Sequence, residues 1–175
     1  MTLAAATGLA GITSFLSGCA GYQVGARSMY CSDVRTVHVP IIESDSYRRQ
    51  LGERLTEAVI KEIELNSPYK VVGSPDGADS VLRCRLISDQ KTVTAETRTD
   101  EPRADDLAMT VQVDWLDRRN QSLIQRSEIP LPSSIVTISA RSSLIAEAGQ
   151  SVATAQQESL QRLARQIREQ MESAW

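Results

Sequence analysis

An α+β fold is the architecture the sequence predicts: two amphipathic helices packed on one face of a mostly antiparallel mixed sheet, in the order β-α-β-β-β-β-α. Three patterns lead there. Leu51, Leu55, Val59 and Ile63 recur every four residues, which gathers them on one side of a helix. Leu107, Met109, Val111, Val113 and Trp115 alternate with Ala108, Thr110, Gln112 and Asp114, the two-residue period of a half-buried strand. A second helical stripe closes the chain: Ile145, Ala148, Val152, Ala155, Leu160, Leu163, Ile167 and Met171. Elements with one apolar side must cover one another, and two layers do so.

Along the chain, Val34 to Ile42 reads as the first strand, with Val37, Val39 and Ile41 alternating against Thr36, His38 and Pro40. Pro40 on the outward parity predicts an edge position or the end of pairing. Ser44-Asp45-Ser46 supplies N-cap candidates for the first helix, which runs to about Leu65 and stops at Asn66-Ser67-Pro68. Glu57 and Lys61 can pair on its outer side.

A short strand, Tyr69 to Val72, and a turn at Ser74-Pro75-Asp76-Gly77 come next. Val81 to about Glu96 is a long extended run. Its apolar parity shifts from Leu82/Cys84/Leu86 to Ile87/Val93, which predicts a bulge near Ser88. Thr97 to Asp106 reads as a charged loop. The strand through Trp115 then turns at Asp117 to Gln121 into Ser122–Ile129, and Pro130 with Pro132 ends pairing. Ser142 to about Ser173 reads as the last helix, weakened in the middle by Gly149. Thr110, Gln112, Arg83 and Arg85 are expected on the uncovered, polar sheet face.

The N-terminus carries the strongest functional signal. Leu16-Ser17-Gly18-Cys19 closes an apolar stretch, Met1 to Gly18, that contains no charged residue. This is the pattern of a bacterial lipobox. Diacylglycerol is attached to a cysteine thiol as a thioether, and small residues before it let the signal peptidase reach the bond. Residues 1–18 are thus expected to be a lipoprotein signal peptide, residues 19–32 a lipidated tether, and residues 33–175 one domain. The stretch departs from the usual export signal in lacking an early Lys or Arg. It is shorter than the ~20 apolar residues of a membrane-spanning helix. Two or three acyl chains anchor durably, whereas a single myristoyl chain does not. Ala20 stands where an aspartate commonly holds lipoproteins at the inner membrane, so an outer-membrane, periplasm-facing location is expected.

Removing the signal from the 175 residues leaves 157, enough for one domain with a true core. A net charge of −3 offers no footprint for nucleic acid, and 4 % aromatic residues offer no stacking platform. With Cys19 assigned to lipid, Cys31 and Cys84 remain in a compartment that permits disulfides. Two readings stand for them: a bond worth about 2–4 kcal/mol, or two small unpaired hydrophobes, which the sequence favours. His38 is the only histidine, on the outward parity of a strand; neither a zinc site nor a serine-hydrolase base is expected, and no cofactor. Gly73 and Gly77 are isolated turn glycines and make no phosphate loop. Arg48-Arg49 and Arg118-Arg119 read as solvated pairs. Trp175 is a loose end or an interfacial anchor.

Several segments follow one another in a telling order. They are Cys19 with Gly21-Tyr22, Val37-His38-Val39-Pro40, Ser44 and Tyr47-Arg48-Arg49, Leu55-Thr56-Glu57-Ala58, Pro68-Tyr69-Lys70-Val71-Val72, and Ala78-Asp79-Ser80-Val81-Leu82. Together they resemble the lipopolysaccharide-assembly lipoproteins, the LptE family. The resemblance covers roughly Cys19 to Trp115 and becomes compositional in the last helix. It implies a non-enzymatic two-helix domain that plugs the lumen of the LptD β-barrel, helps it assemble and contacts lipopolysaccharide. By the same resemblance, basic residues near loops at one end of the sheet would meet lipopolysaccharide: Lys91, Arg98 and Arg103, with Arg126 a weaker match. Guanidinium groups suit phosphates through charge-assisted, often bidentate bonds. Asp100, Glu101, Asp105 and Asp106 share that region and would repel phosphate or bind bridging divalent cations. Another class of envelope lipoprotein, a peptidoglycan-synthase activator or secretion-channel subunit, is the alternative. Paired-carboxylate hydrolysis is the third reading and has little in its favour.

The lipobox has a direct test. Cys19→Ala should accumulate as unprocessed precursor and leave the membrane fraction, read by gel mobility and flotation. A variant still cut after Gly18 and still membrane-bound would refute the assignment.

Overall fold

The computed structural model describes residues 30–48, 50–99, 102–124 and 135–172. Residues 1–18, expected to be a signal peptide, with Cys19, Arg49, Asp100, Glu101, Arg126 and Trp175, lie outside them. The strands are β1 (Thr36–His38), β2 (Glu43–Ser44), β3 (Lys70–Val72), β4 (Ser80–Glu96), β5 (Pro102–Asp117) and β6 (Val136–Ile145), and the helices α1 (Leu51–Asn66) and α2 (Val152–Gln170). They form one sheet in the order β3-β1-β4-β5-β6, with β2 also on β4. The long pairs β4–β5 and β5–β6 are antiparallel. The short strands β1, β2 and β3 pair in parallel. The predicted class and element order stand.

Both helices lie on one sheet face. Leu51, Leu55, Val59 and Ile63 of α1 and Leu160, Leu163 and Ile167 of α2 are at most 1 % exposed, packed on Leu82, Leu86, Met109, Val111, Val113 and Trp115. Each such side chain contributes roughly 1.5–3 kcal/mol by burial. Two buried hydroxyls join α2 to β6. Ser142 Oγ donates to the Ala155 carbonyl at 2.8 Å and stands 2.6 Å from Ser159 Oγ. Its single proton being committed, Ser159 is the donor between them.

The first strand departs from its prediction. Val37, Val39 and Ile42 are buried, while Ile41 is 73 % exposed. The cause lies on α1. A methyl group at Gly52 would overlap the carbonyl oxygen of Ile42, so helix and strand backbones touch there. The Ile42 N–H donates to Thr56 Oγ1 at 2.9 Å, and Thr56 Oγ1 donates to the Gly52 carbonyl at 2.7 Å. This clasp draws Ile42 inward. Between the pairs His38↔Val81 and Glu43↔Arg85, four residues on one side face three on β4: a bulge that separates β1 from β2 and turns Ile41 out. Pairing in β1 ends at His38, before Pro40, as predicted.

Helix α1 does not use the predicted caps. Ser44 is in β2, and α1 starts at Leu51 after Gln50, which takes the left-handed conformation (φ 67) without a side-chain cap bond. Chain direction set by the Ile42 contact overrides the usual cap preference.

Two further boundaries move. The second half of the predicted 97–106 loop is strand, since β5 begins at Pro102. Among residues 103–106 the buried side chain is Asp105, a carboxylate, so no apolar alternation marks the strand and its composition resembles a loop. The bulge expected near Ser88 appears as a register shift between Leu86 and Ser88. The last described strand is Val136–Ile145, which the sequence did not predict; the predicted strand Ser122–Ile129 lies mostly outside the described residues. Ser122 makes a single bridge to Leu116, and residues 125–134 lie outside the description. Ser142 to Ile145, read as helix, complete β6, whose inward positions Ile138, Ala140, Ser142 and Leu144 include small residues that blur the alternation. Gly149 (φ 75) turns the chain before α2, which Ser151 caps by accepting from the Thr154 N–H at 3.1 Å.

The Gly52 contact predicts a steep cost. Gly52→Ala should destabilise the domain by about 2–4 kcal/mol, since the overlapping atom is backbone, read as a lower urea midpoint at unchanged slope. An alanine variant as stable as the parent would remove the contact from the account.

Candidate interaction surfaces

Strand parity sorts the sheet into two faces. The face away from the helices carries Arg83, Arg85, Ser88 and Gln90 on β4, Thr110, Gln112 and Asp114 on β5, and Thr137, Ser139, Arg141 and Ser143 on β6. Arg83, Arg85, Thr110 and Gln112 stand where the sequence placed them. This broad, polar, small-residue surface is not covered by either helix. Arg85 is held by Asp45 at 2.9 Å. His38 is half-buried, with Nδ1 3.0 Å from the Val72 carbonyl.

The predicted lipopolysaccharide-facing cations do not form one cluster. Lys91 lies on the helix side of β4 and pairs with Asp105 at 2.7 Å, where the carboxylate is 10 % exposed. Arg103 reaches Glu147, in the short turn before α2, at 3.4 Å. Arg98 is exposed at the hairpin turn, and no partner for it occurs among the described residues. Arg126 lies outside the described residues. The hairpin thus holds Lys91 and Arg103 in ion pairs, Arg103 close to the turn, and Arg98 exposed in the turn itself, with no ion-pair partner among the described residues.

Sequence reasoning missed three other features. Arg48, expected to be solvated, pairs with Asp89 at 3.2 Å, and that carboxylate is 1 % exposed. Arg118 also docks: Nε donates to the Ala78 carbonyl at 2.9 Å and Nη2 to Asp79 at 2.8 Å. Asp79 accepts further from the Arg35 and Thr36 N–H groups at 3.1 and 3.0 Å. These backbone and hydroxyl donors, with Arg118, hold its carboxyl below the ordinary carboxylate range. Contacts of this kind link residues some 40 positions apart, and no local spacing announces them. The third feature is apolar. Ile41 borders two grooves, one of about 510 Å³ against α1 with Ile60 and Leu65, the other of about 380 Å³ toward Arg83, Arg85 and Ile135. Consecutive Ile41-Ile42 in a strand was the available signal, since strict alternation cannot bury both.

Cys31 and Cys84 are thiols, and no disulfide joins them. Both pack against the main core, and burial raises the Cys84 thiol to about 12, with Asp114 adding to the effect. Among the described residues no group of three or more His, Cys, Asp or Glu is placed to hold a metal ion. No helix among them is long and apolar enough to cross a membrane.

Comparison with known proteins gives the chain a setting. The model of the family described as LptE, lipopolysaccharide-assembly, matches residues 34–173. No curated protein matches the sequence. Among solved structures, lipoprotein B of Nitrosomonas europaea superposes with a TM-score of 0.54 at 15 % identity, over 84 % of this chain and 90 % of that one. Protein XCC0632 of Xanthomonas campestris gives 0.53 at 12 %, over 77 % and 81 %. PelC of Paraburkholderia phytofirmans, a dodecamer, gives 0.50 at 9 %, over 82 % and 93 %. At these identities the likeness is one of fold.

The arm cations should separate by stability. Lys91→Ala strips the partner from the buried Asp105 carboxylate and should cost about 1–3 kcal/mol, while Arg98→Ala should stay within about 0.5 kcal/mol of the parent. Urea unfolding measures both; equal effects would contradict the pairing described.

Proposed function

The chain belongs to the lipopolysaccharide-assembly family LptE, and from that membership we propose that it is an outer-membrane lipoprotein, anchored through Cys19, that plugs and helps assemble an LptD-type β-barrel for lipopolysaccharide transport. The carrying observation is the extent of the family match, residues 34–173, which takes in the whole sheet and both helices.

The physical character of the domain supports this reading. A plug in a water-lined lumen needs a polar exterior around a self-sufficient core. The uncovered sheet face supplies Thr, Ser, Gln and Arg side chains able to exchange hydrogen bonds with a polar wall, directly or through water. The role is one of binding and placement, without catalysis or cofactor.

On this reading lipopolysaccharide passes the hairpin arm. Arg98, exposed in the hairpin turn, offers its guanidinium to a lipid A phosphate. Arg103 can follow by exchanging exposed Glu147 for phosphate, and Lys91 last, because Asp105 holds it in a more buried pair. Arg126 belongs to the same proposal through the family resemblance alone.

Affinity purification from detergent-solubilised envelopes tests the main claim. An LptD-like barrel should be recovered near one-to-one. A peptidoglycan synthase, a ring of the chain itself, or no partner at all would overturn it. For the arm, Arg98→Glu with Arg103→Glu should weaken lipopolysaccharide binding about tenfold or more, with recovery of the barrel unchanged. Equal binding by variant and parent would take the arm out of the site.

A further inference from the structure

Ile41 is turned outward by the bulge between β1 and β2, and 73 % of it is exposed. It borders the groove of about 510 Å³ that it shares with Ile60 and with Leu65, itself 70 % exposed. Single aliphatic side chains on a surface need no explanation, but a shared groove with two such residues does. Three carboxylates, Glu53, Glu57 and Glu64, stand round the same groove against the ammonium of Lys61. The site therefore combines an aliphatic floor with a net negative rim.

We propose that this groove receives an aliphatic segment of the β-barrel protein that carries a lysine or arginine, with Ile41 as the anchoring contact. The inference rests on the barrel-plug reading and adds to it the surface and the chemistry of the contact. Aliphatic side chains of the segment cover Ile41, Ile60 and Leu65, and its cation answers the acidic rim. A second copy of the chain fits poorly, because a two-fold axis through Ile41 would set one acidic rim against another. Ile41 lies outside the core, so the interaction can be probed without unfolding the domain.

The test compares three full-length, lipidated chains in the same purification: the parent, Ile41→Asp, and Glu57→Lys with Glu64→Lys. Each is checked by thermal melting. Ile41→Asp should recover about tenfold less barrel, and the double lysine variant should also fall, at unchanged melting temperature. A photo-crosslinking amino acid at position 41 should form an adduct with the barrel itself. If the parent recovers the barrel while Ile41→Asp recovers as much and position 41 gives no adduct, the groove inference is overturned and the plug reading stands. If the aspartate variant falls but the lysine variant does not, the cationic part of the occupant is overturned. If the parent recovers no barrel, the plug reading fails first.

Discussion

The contact between two backbones, Gly52 on α1 and Ile42 ahead of β2, sets much of the rest. Because no side chain separates them, the helix lies against the strand, and Thr56 Oγ1 bridges the Ile42 N–H and the Gly52 carbonyl. The start of α1 is fixed by that approach, with no side-chain cap. The stripe from Leu51 to Ile63 is thereby aimed at the core. The strand adjusts by adding one residue, and β1 and β2 become two pieces of a single interrupted strand along β4. A hydroxyl and a missing Cβ thus decide where an aliphatic side chain meets solvent.

The other organising element is the β4–β5 ladder. At its base it bears the core, and beyond Lys91 the β4 strand is exposed while β5 stays bordered by β6 as far as Ala104. The ion pairs Lys91–Asp105 and Arg103–Glu147 lie along this outer part of the ladder, Arg103 close to the turn. Lys91 and Arg103 are thus neutralised by carboxylates, while Arg98 has no ion-pair partner among the described residues.

The sequence showed its periodic parts well. The α1 stripe, the α2 stripe from Ala155 onward, the β5 alternation and the bulge near Ser88 are legible, because each depends on residues a few positions apart, whereas Ile145 and Val152 of the predicted last stripe are exposed. Three kinds of feature were not legible. Strand Val136–Ile145 was hidden by Ala140 and Ser142, small inward residues that a weak hydrophobic scale does not count, and the final helix was extended backward over it. The start of β5 reads as a loop because its buried position there is held by Asp105, a carboxylate paired with Lys91, and not by an apolar side chain. The burial of Ile42 in place of Ile41 required knowledge of a helix that approaches from 10 residues further along. The candidate cations were legible as charges but not as pairs: the partner of Arg103 lies on a turn some 40 residues away.

Tyr30 shows how the body of the domain receives the chain that leads to it. Its hydroxyl donates to the Asn66 carbonyl at 3.0 Å, at the end of α1, and accepts from Arg168 of α2 at 2.9 Å, while its ring stacks edge-on against Tyr69 at 5.4 Å. Tyr69 leans in turn on Trp115 at 5.7 Å, and its hydroxyl accepts from the Cys31 N–H at 3.0 Å. Mechanically, a pull on the N-terminal chain would arrive at a knot that binds both helices and the sheet at once. Tension would be divided among three elements before any strand could peel.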